Sequence, residues 1–271
     1  MYEIPSAAHD WYHDLLNREL SAFPDLMTPW HHRTERLRSE RSARRAAELA
    51  LADHVVVYSS HVIDSYRSLG VDVSRFHAIP LGSPPISAHS LSTAPPQGPI
   101  RLVFAGTFGI RKGAHYLIQA LESLPKGMFH LDIYGSFALS DSWRARTAAV
   151  ADWKGPVSFD VLQQAIRYAD ALILPSLSEA FGMVVTEALA QGTPVIVSEA
   201  VGAADLIEPG RSGFMVQSAS TQSIVDCLMR LDASRSHWSD YRQHARSAAS
   251  HWQWRDHGNA LVNLMGRVAR P

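Results

Sequence analysis

One cysteine, Cys227, stands in 271 residues, so no disulfide can close within the chain. Its place in "SIVDCLMRL" gives it the role of a small, buried apolar residue on a helix, and such sparse use suits a reducing cytoplasm. Net charge is missing as well. With 25 Lys and Arg against 26 Asp and Glu, the formal charge is −1, so no overall field recruits nucleic acid and an anionic ligand needs a local site. No apolar run approaches the ~18 residues of a membrane span, and "MYEIPSAAHDWYHD" lacks the basic region and apolar core of an export signal. The chain also has no G-x-S-x-G elbow for a serine hydrolase and no H-E-x-x-H among its fourteen histidines, which are therefore expected at the surface. Nor is there a D-x-D, the carboxylate pair that commonly holds a metal against a diphosphate. A metal-free site is expected, with charge met by cations and backbone dipoles.

What is present is a large apolar fraction, 46% of residues against 19% charged, enough for one large core or two smaller ones. From residue 100 onward the short apolar runs "IRLVFAG", "FHLDIYG", "ALILPS" and "TPVIVS" alternate with stretches of helical period. Nearly continuous apolar strands separated by helices predict an α/β, doubly wound parallel sheet covered on both faces. The run "GMVVTEALAQGTP" reads as one of its helices, capped by Gly192 in the left-handed conformation and stopped by Pro194. Before residue 83 the helical runs "AAHDWYHDLLNREL" and "TERLRSERSARRAAELALAD", the strand "HVVVYSS", the helix "HVIDSYRSLG" and the strand "FHAIPLG" follow one another. The Pro- and Ser-rich "SPPISAHSLSTAPPQGP" has the composition of a linker. The expected organisation is an N-terminal region at 1–82, a linker at 83–99, a ligand-binding domain at 100–250 and a final segment at 251–271. "ADHVVVYSS" and "ADALILPSL" share one pattern, a helix end, a strand and then serine, which suggests two related halves. The first half, at roughly 80 residues, is short for a domain and is expected to be incomplete.

Two loops carry chemistry. In "FAGTFGIRKGAHYLIQAL" the chain leaves its strand through Gly106, Thr107 and Gly109 and presents Arg111 and Lys112 just before a helix. That arrangement suits a phosphate, or forms a tight turn with a solvated basic pair. Its glycine spacing matches neither G-x-G-x-x-G nor G-x-x-x-x-G-K-[ST]. In "PSLSEAFGMVVTEAL" the free amides around Phe181, Gly182, Met183 and Val184 mark a helix start facing the same crevice. Glu179 and Glu187 either favour that helix's positive end or accept hydrogen bonds from sugar and ribose hydroxyls. The run from Arg33 to Arg45 is interleaved with Glu35 and Glu40 and reads as a solvated helix face, with contact to anionic lipid as the alternative.

The stretches "AGTFGIRKGAHYLIQAL", "RYADALILPSLSEAFGMVVTEALAQGTPVIVSEAVGAADLI" and "GRSGFMVQ" resemble the nucleotide-sugar domain of glycosyltransferase family 4, of the GT-B fold. The E-x7-E pattern around Phe181-Gly182 is the specific part. The resemblance extends over roughly residues 46–268, with "HWQWRDHGNALVNLM" similar to the family's helix that crosses back to the first domain. It implies a complete C-terminal Rossmann-like domain and an incomplete N-terminal one, since the chain opens in what resembles that domain's later helices. It further implies retaining, metal-independent transfer of a hexosyl unit from a nucleotide diphosphate sugar, which is a substrate and not a cofactor, to an acceptor hydroxyl. Glu179 would contact the donor sugar, Lys112 and Arg111 would hold the leaving diphosphate, Glu187 would bind ribose, and the leaving phosphate would take the acceptor's proton. Thr107 departs from the family, which usually has arginine there; Arg111 is the substitute. The acceptor, whether glycan, lipid-linked sugar or small molecule, is expected to meet the absent portion. A non-catalytic or split fragment working with a separate N-terminal piece, and a sugar-nucleotide epimerase, are the alternatives. The expected location is cytoplasmic, with peripheral contact at the inner face of a membrane left open.

Overall fold

The computed structural model describes residues 1–91 and 94–268. Ser92 and Thr93 of the expected linker, and 269–271 of the expected final segment, lie outside them. Six parallel strands form the larger sheet: β4 (Ile100–Ala105), β5 (Phe129–Tyr134), β6 (Ala151–Gly155), β7 (Ala171–Leu174), β8 (Val195–Ser198) and β9 (Gly213–Val216). Their spatial order is β6-β5-β4-β7-β8-β9. Every residue of β7 and β8 is buried, as are all those of β4 except Arg101, which is why these runs are apolar without alternation. The order reverses between β4 and β7, so the loops that leave their carboxyl ends diverge and open a crevice at the sheet's switch point.

Helices cover both faces. On one, α5 (Ala114–Ser123) packs against α6 (Asp141–Val150) and α9 (Thr221–Ala233); on the other, α8 (Met183–Gln191) packs against α7 (Phe159–Tyr168) and α10 (Trp238–Ser250). Gly192 ends α8 at φ +73°, as its sequence predicts, and its amide donates to Leu189 O at 2.9 Å. Cys227 is fully buried in α9, where burial pushes its thiol up to about 11.

A smaller parallel sheet is built from β1 (Tyr2–Ile4), β2 (Val55–Val57) and β3 (Phe76–Ala78), in that order. Ile4, Val55, Val57 and Phe76 pack on one face with Val62 and Tyr66 of α4 (Ser60–Arg67). Val56 and Ile79 pack on the other with Leu264 of α11 (Trp254–Val268). His257 Nδ1 and Trp252 Nε1 both reach the Pro80 carbonyl, at 2.8 and 2.9 Å, tying the final segment to the exit of β3.

Three findings depart from the sequence reading. The helix expected across 34–53 breaks at Leu37 into α2 (Pro29–Arg36) and α3 (Arg38–Ala50). Thr34 Oγ1 donates back to His31 O at 2.9 Å, and the Leu37 amide turns to Thr34 O; hydroxyl back-bonding of this kind bends helices. Residues expected to belong wholly to the first region cross over: Leu16 and Leu20 of α1 (His9–Ala22), with Leu26, join the core of the larger sheet. There Glu19 Oε2 accepts hydrogen bonds from His115 Nε2 and Tyr116 Oη of α5, each at 2.9 Å. Phe23 sets its ring edge against both side chains. Finally, the histidines are not all at the surface. His13, His31, His115 and His257 are buried, each with one ring nitrogen in a hydrogen bond, while His115 Nδ1 has no partner among the described residues.

Candidate active site at the sheet switch point

The β4–α5 loop needs its glycines for two separate reasons. A Cβ on Gly106, which sits at φ +118°, would fall 2.9 Å from Lys112 Nζ, so the bare backbone is what lets the ammonium lie over it. Gly113, at φ +67°, lies so close to the β7–α8 loop that a Cβ there would overlap the Pro175 carbonyl oxygen. The two switch-point loops are thus in backbone contact. The Leu177 amide also donates to Arg111 O at 2.8 Å.

That contact brings the cations of one loop onto the carboxylate of the other. Arg111 Nη1 donates to Glu179 Oε2 at 2.9 Å and to Ser178 O at 3.1 Å, and Lys112 Nζ lies 3.1 Å from the same carboxylate oxygen. Glu179 is fixed through its backbone, its amide donating to Ala200 O and its carbonyl accepting from the Gly202 amide, both at 2.9 Å. Burial acts to raise the Glu179 pKa, but Lys112 and Arg111 outweigh it and hold the carboxyl below its ordinary value. Burial lowers the Lys112 pKa, Glu179 opposes this, and Arg111 adds to it. Two cations therefore share one carboxylate in a partly dry corner, which leaves a positive excess suited to an anion.

Beside the corner, α8 opens with Gly182 at φ +89°. Among the described residues no acceptor takes the amides of Phe181, Gly182, Met183 or Val184, so the helix start offers free donors. The Phe181 side chain is in the core while Met183 is exposed. Thr107 Oγ1 accepts from Ser136 Oγ at 3.1 Å.

A cavity of about 850 Å³ opens in front of this corner, walled by Thr107, Gly109, Arg111 and Glu179 on one side and by residues of α1 to α3 on the other. Glu187 is not in that wall. It is half-buried one α8 face away and accepts a hydrogen bond from Gln163 Nε2 at 3.0 Å, and Gln163 in turn accepts one from Gln191. Burial raises the Glu187 pKa, partly offset by Gln163. Among the described residues one group has metal-donor chemistry, His130, Asp132 and Asp152. Lys154 Nζ pairs with both carboxylates there, at 3.1 and 3.0 Å.

Residues from the smaller sheet also reach the corner, and the sequence reading gave them no role. Ser59, at the end of β2, donates to Ala180 O at 2.7 Å, and His61 Nε2 lies 3.2 Å from Ser178 Oγ. Burial pushes the His61 pKa down against the pull of Asp64, Glu199 and Glu179. The repeated strand-then-serine pattern was the available signal, since it places "YSSH" at a carboxyl edge.

Two parallel sheets meeting at one cleft define an α/β protein of the GT-B type. The family model for glycosyl transferases group 1 matches residues 88–251, and the chain belongs to that family. It is 26% identical over 230 residues to a D-inositol 3-phosphate glycosyltransferase of Xylanimonas cellulosilytica, covering 76% of this chain and 55% of that protein. The chain thus spans little more than half of that relative. In fold it resembles WaaG, a glycosyltransferase involved in lipopolysaccharide biosynthesis, with TM-score 0.67, 17% identity and coverage of 93% of this chain and 81% of that one. It equally resembles Anabaena Alr3699/HepE in complex with UDP and glucose, with TM-score 0.67, 18% identity and coverage of 84% and 67%.

Proposed function

We propose that the chain is a retaining glycosyltransferase that moves a hexosyl unit from a nucleotide diphosphate sugar to an acceptor hydroxyl. The observation that carries this reading is the convergence of Arg111 and Lys112 on Glu179 at the switch point, 2.9 and 3.1 Å away. In this reading the diphosphate draws the two cations from Glu179 and lies along the free amides at the start of α8. The cations then stabilise the negative charge that grows on the leaving group as the glycosidic bond breaks. Glu179, freed from its partners, contacts the sugar. Glu187 and Gln163 form the polar pair for the ribose diol. Family membership and the UDP-bound fold relative support the donor class. Calorimetry with a panel of nucleoside diphosphates and their sugars tests it: binding lost in Lys112→Ala is expected, and no heat with any member of the panel overturns it.

A donor-binding module that needs a separate acceptor-side piece is the second reading, favoured by the three-stranded width of the smaller sheet. Labelled donor incubated with the chain and an acceptor library separates the two. Binding without transfer or hydrolysis supports the module.

A further inference from the structure

Half-buried polar side chains of α7 and α8 form a relay that ends on Glu187. Gln191 Nε2 donates to Gln163 Oε1 at 2.9 Å, and Gln163 Nε2 donates to Glu187 Oε2 at 3.0 Å. Gln191 lies one turn beyond Glu187 on α8, so both reach the same point of α7. A primary amide can face its neighbours in two ways, and only one suits this relay. The Glu187 carboxylate, when ionised, only accepts, so Gln163 must turn its NH2 toward it and its carbonyl oxygen away. That oxygen then needs a donor, which Gln191 supplies. Reversing either amide would set oxygen against oxygen.

The frame around the relay is pinned. Thr193 Oγ1 donates to Ile166 O at 2.8 Å, and the buried Arg242 donates through Nη2 to Ala169 O at 2.7 Å. Both bonds hold the end of α7 against the exit of α8. The Ser87 amide donates to Ala190 O at 3.1 Å, so the segment joining the two sheets lies along the last turn of α8. Among the described residues no donor takes Glu187 Oε1, and no acceptor takes the second Nε2–H of Gln163. An acceptor and a donor are thus left side by side, the complement of hydroxyls, which both donate and accept.

We propose, resting on the donor reading above, that Gln191 is a positioning residue for the donor. Without touching the donor it sets the direction of the Gln163 amide, and so keeps Glu187 accepting and Gln163 donating toward the ribose. A ribose offers two adjacent hydroxyls to that pair, whereas a 2′-deoxyribose leaves one of the buried groups unmatched. The direction of the relay carries the effect. A side chain at position 191 that only donates preserves it. One that only accepts reverses it and turns the Gln163 oxygen onto the carboxylate.

Calorimetry on the full chain tests this with UDP, GDP and ADP, their 2′-deoxy forms and inorganic pyrophosphate. For each base that binds, wild type is expected to favour the ribose form over the deoxy form by about tenfold. Gln191→Lys is expected to keep that ratio within about twofold, whereas Gln191→Glu lowers affinity for the ribose form by about tenfold and brings the ratio toward one. Pyrophosphate carries the charge without the ribose. Its binding reports that each variant is folded, and any change in it measures the charge added at position 191 and is divided out. An unchanged ratio in Gln191→Glu, or equal losses in the lysine and glutamate variants, overturns the proposal, since a merely structural contact has no direction. Failure of every nucleoside diphosphate to bind overturns the donor reading and this one with it; binding that ignores Gln191 overturns this one alone.

Discussion

The two sheets are built to different standards. In the larger one the central strands β7 and β8, and β4 apart from Arg101, are closed to water on both faces, and the loops leaving the switch point are cross-pinned by backbone hydrogen bonds. In the smaller one each strand is three residues long, and its apolar cluster is completed by Ala180 from the other sheet's loop. Its second face is covered by α11, which arrives from the far end of the chain. The difference teaches where precision is stored. The charged corner of Arg111, Lys112 and Glu179 stands on the rigid sheet, and the wall facing it stands on helices held by side-chain pairs.

The largest effect that sharpens this contrast is chemical. Lys112→Ala is expected to lower transfer from labelled donor by about 10²-fold or more, the scale of losing one positioned electrostatic donor. Ser59→Ala, on the smaller sheet, is expected to leave transfer within severalfold. A similar loss in both would place the smaller sheet in the chemistry itself.

Next come the cores. Leu172→Ala is expected to destabilise the chain by ~2–5 kcal/mol in denaturant unfolding, as a cavity in a closed core does. Ile4→Ala, by hydrogen exchange, is expected to release the amides of β1 to β3 while those of β4 and β7 stay protected. Simultaneous loss of protection in both sheets would show a single cooperative unit and break the comparison.

Gly113→Ala is expected to cost ~1–3 kcal/mol, because the left-handed backbone and the Pro175 carbonyl both oppose a side chain. Thermal unfolding measures it, with Gly127→Ala as reference: it too has positive φ, but open space around it.

The smallest effect sets the two glutamates against each other. The depressed pKa of Glu179 contributes stability that is present above its unfolded-state value and is lost as pH falls through its folded value. The advantage of wild type over Glu179→Gln is therefore expected to shrink under acid. Glu187 has a raised pKa, so its ionisation weakens the fold above the folded-state value, and this penalty fades as pH falls toward the ordinary carboxylate value near ~4.3. Glu187→Gln is expected to be slightly more stable than wild type at neutral pH and equal to it in acid. Melting curves across pH give both signs.

Much of this was legible in the residues. Buried strands such as "ALIL" and "VIVS" can hardly be read otherwise, and the glycines around Lys112 together with Glu179 marked the corner before any coordinate. The edge strand β6, "ADWKG", was not legible because an exposed edge needs no apolar run. Strand β1 is too short to show a period. The break at Leu37 depends on a threonine hydroxyl turning inward, which periodicity does not record. Arg41 and Arg45 read as ordinary solvated residues because the interleaved Glu35 and Glu40 suggested partners. Only the fold shows which arginines those acids and the aspartates of α1 hold, and which they leave to the cavity.

Helix α1 deserves a mechanical reading. Because Leu16 and Leu20 share the larger sheet's core, swinging the helix outward would expose two leucines at ~1.5–3 kcal/mol each and unseat Glu19 from His115 and Tyr116. The hinge of the cleft therefore cannot run through that end of α1. Arg38 and Ser42 tie α3 to Asp10 and Asp14 of the same helix, so α1 acts as a fixed post between the larger sheet and the far wall of the cavity.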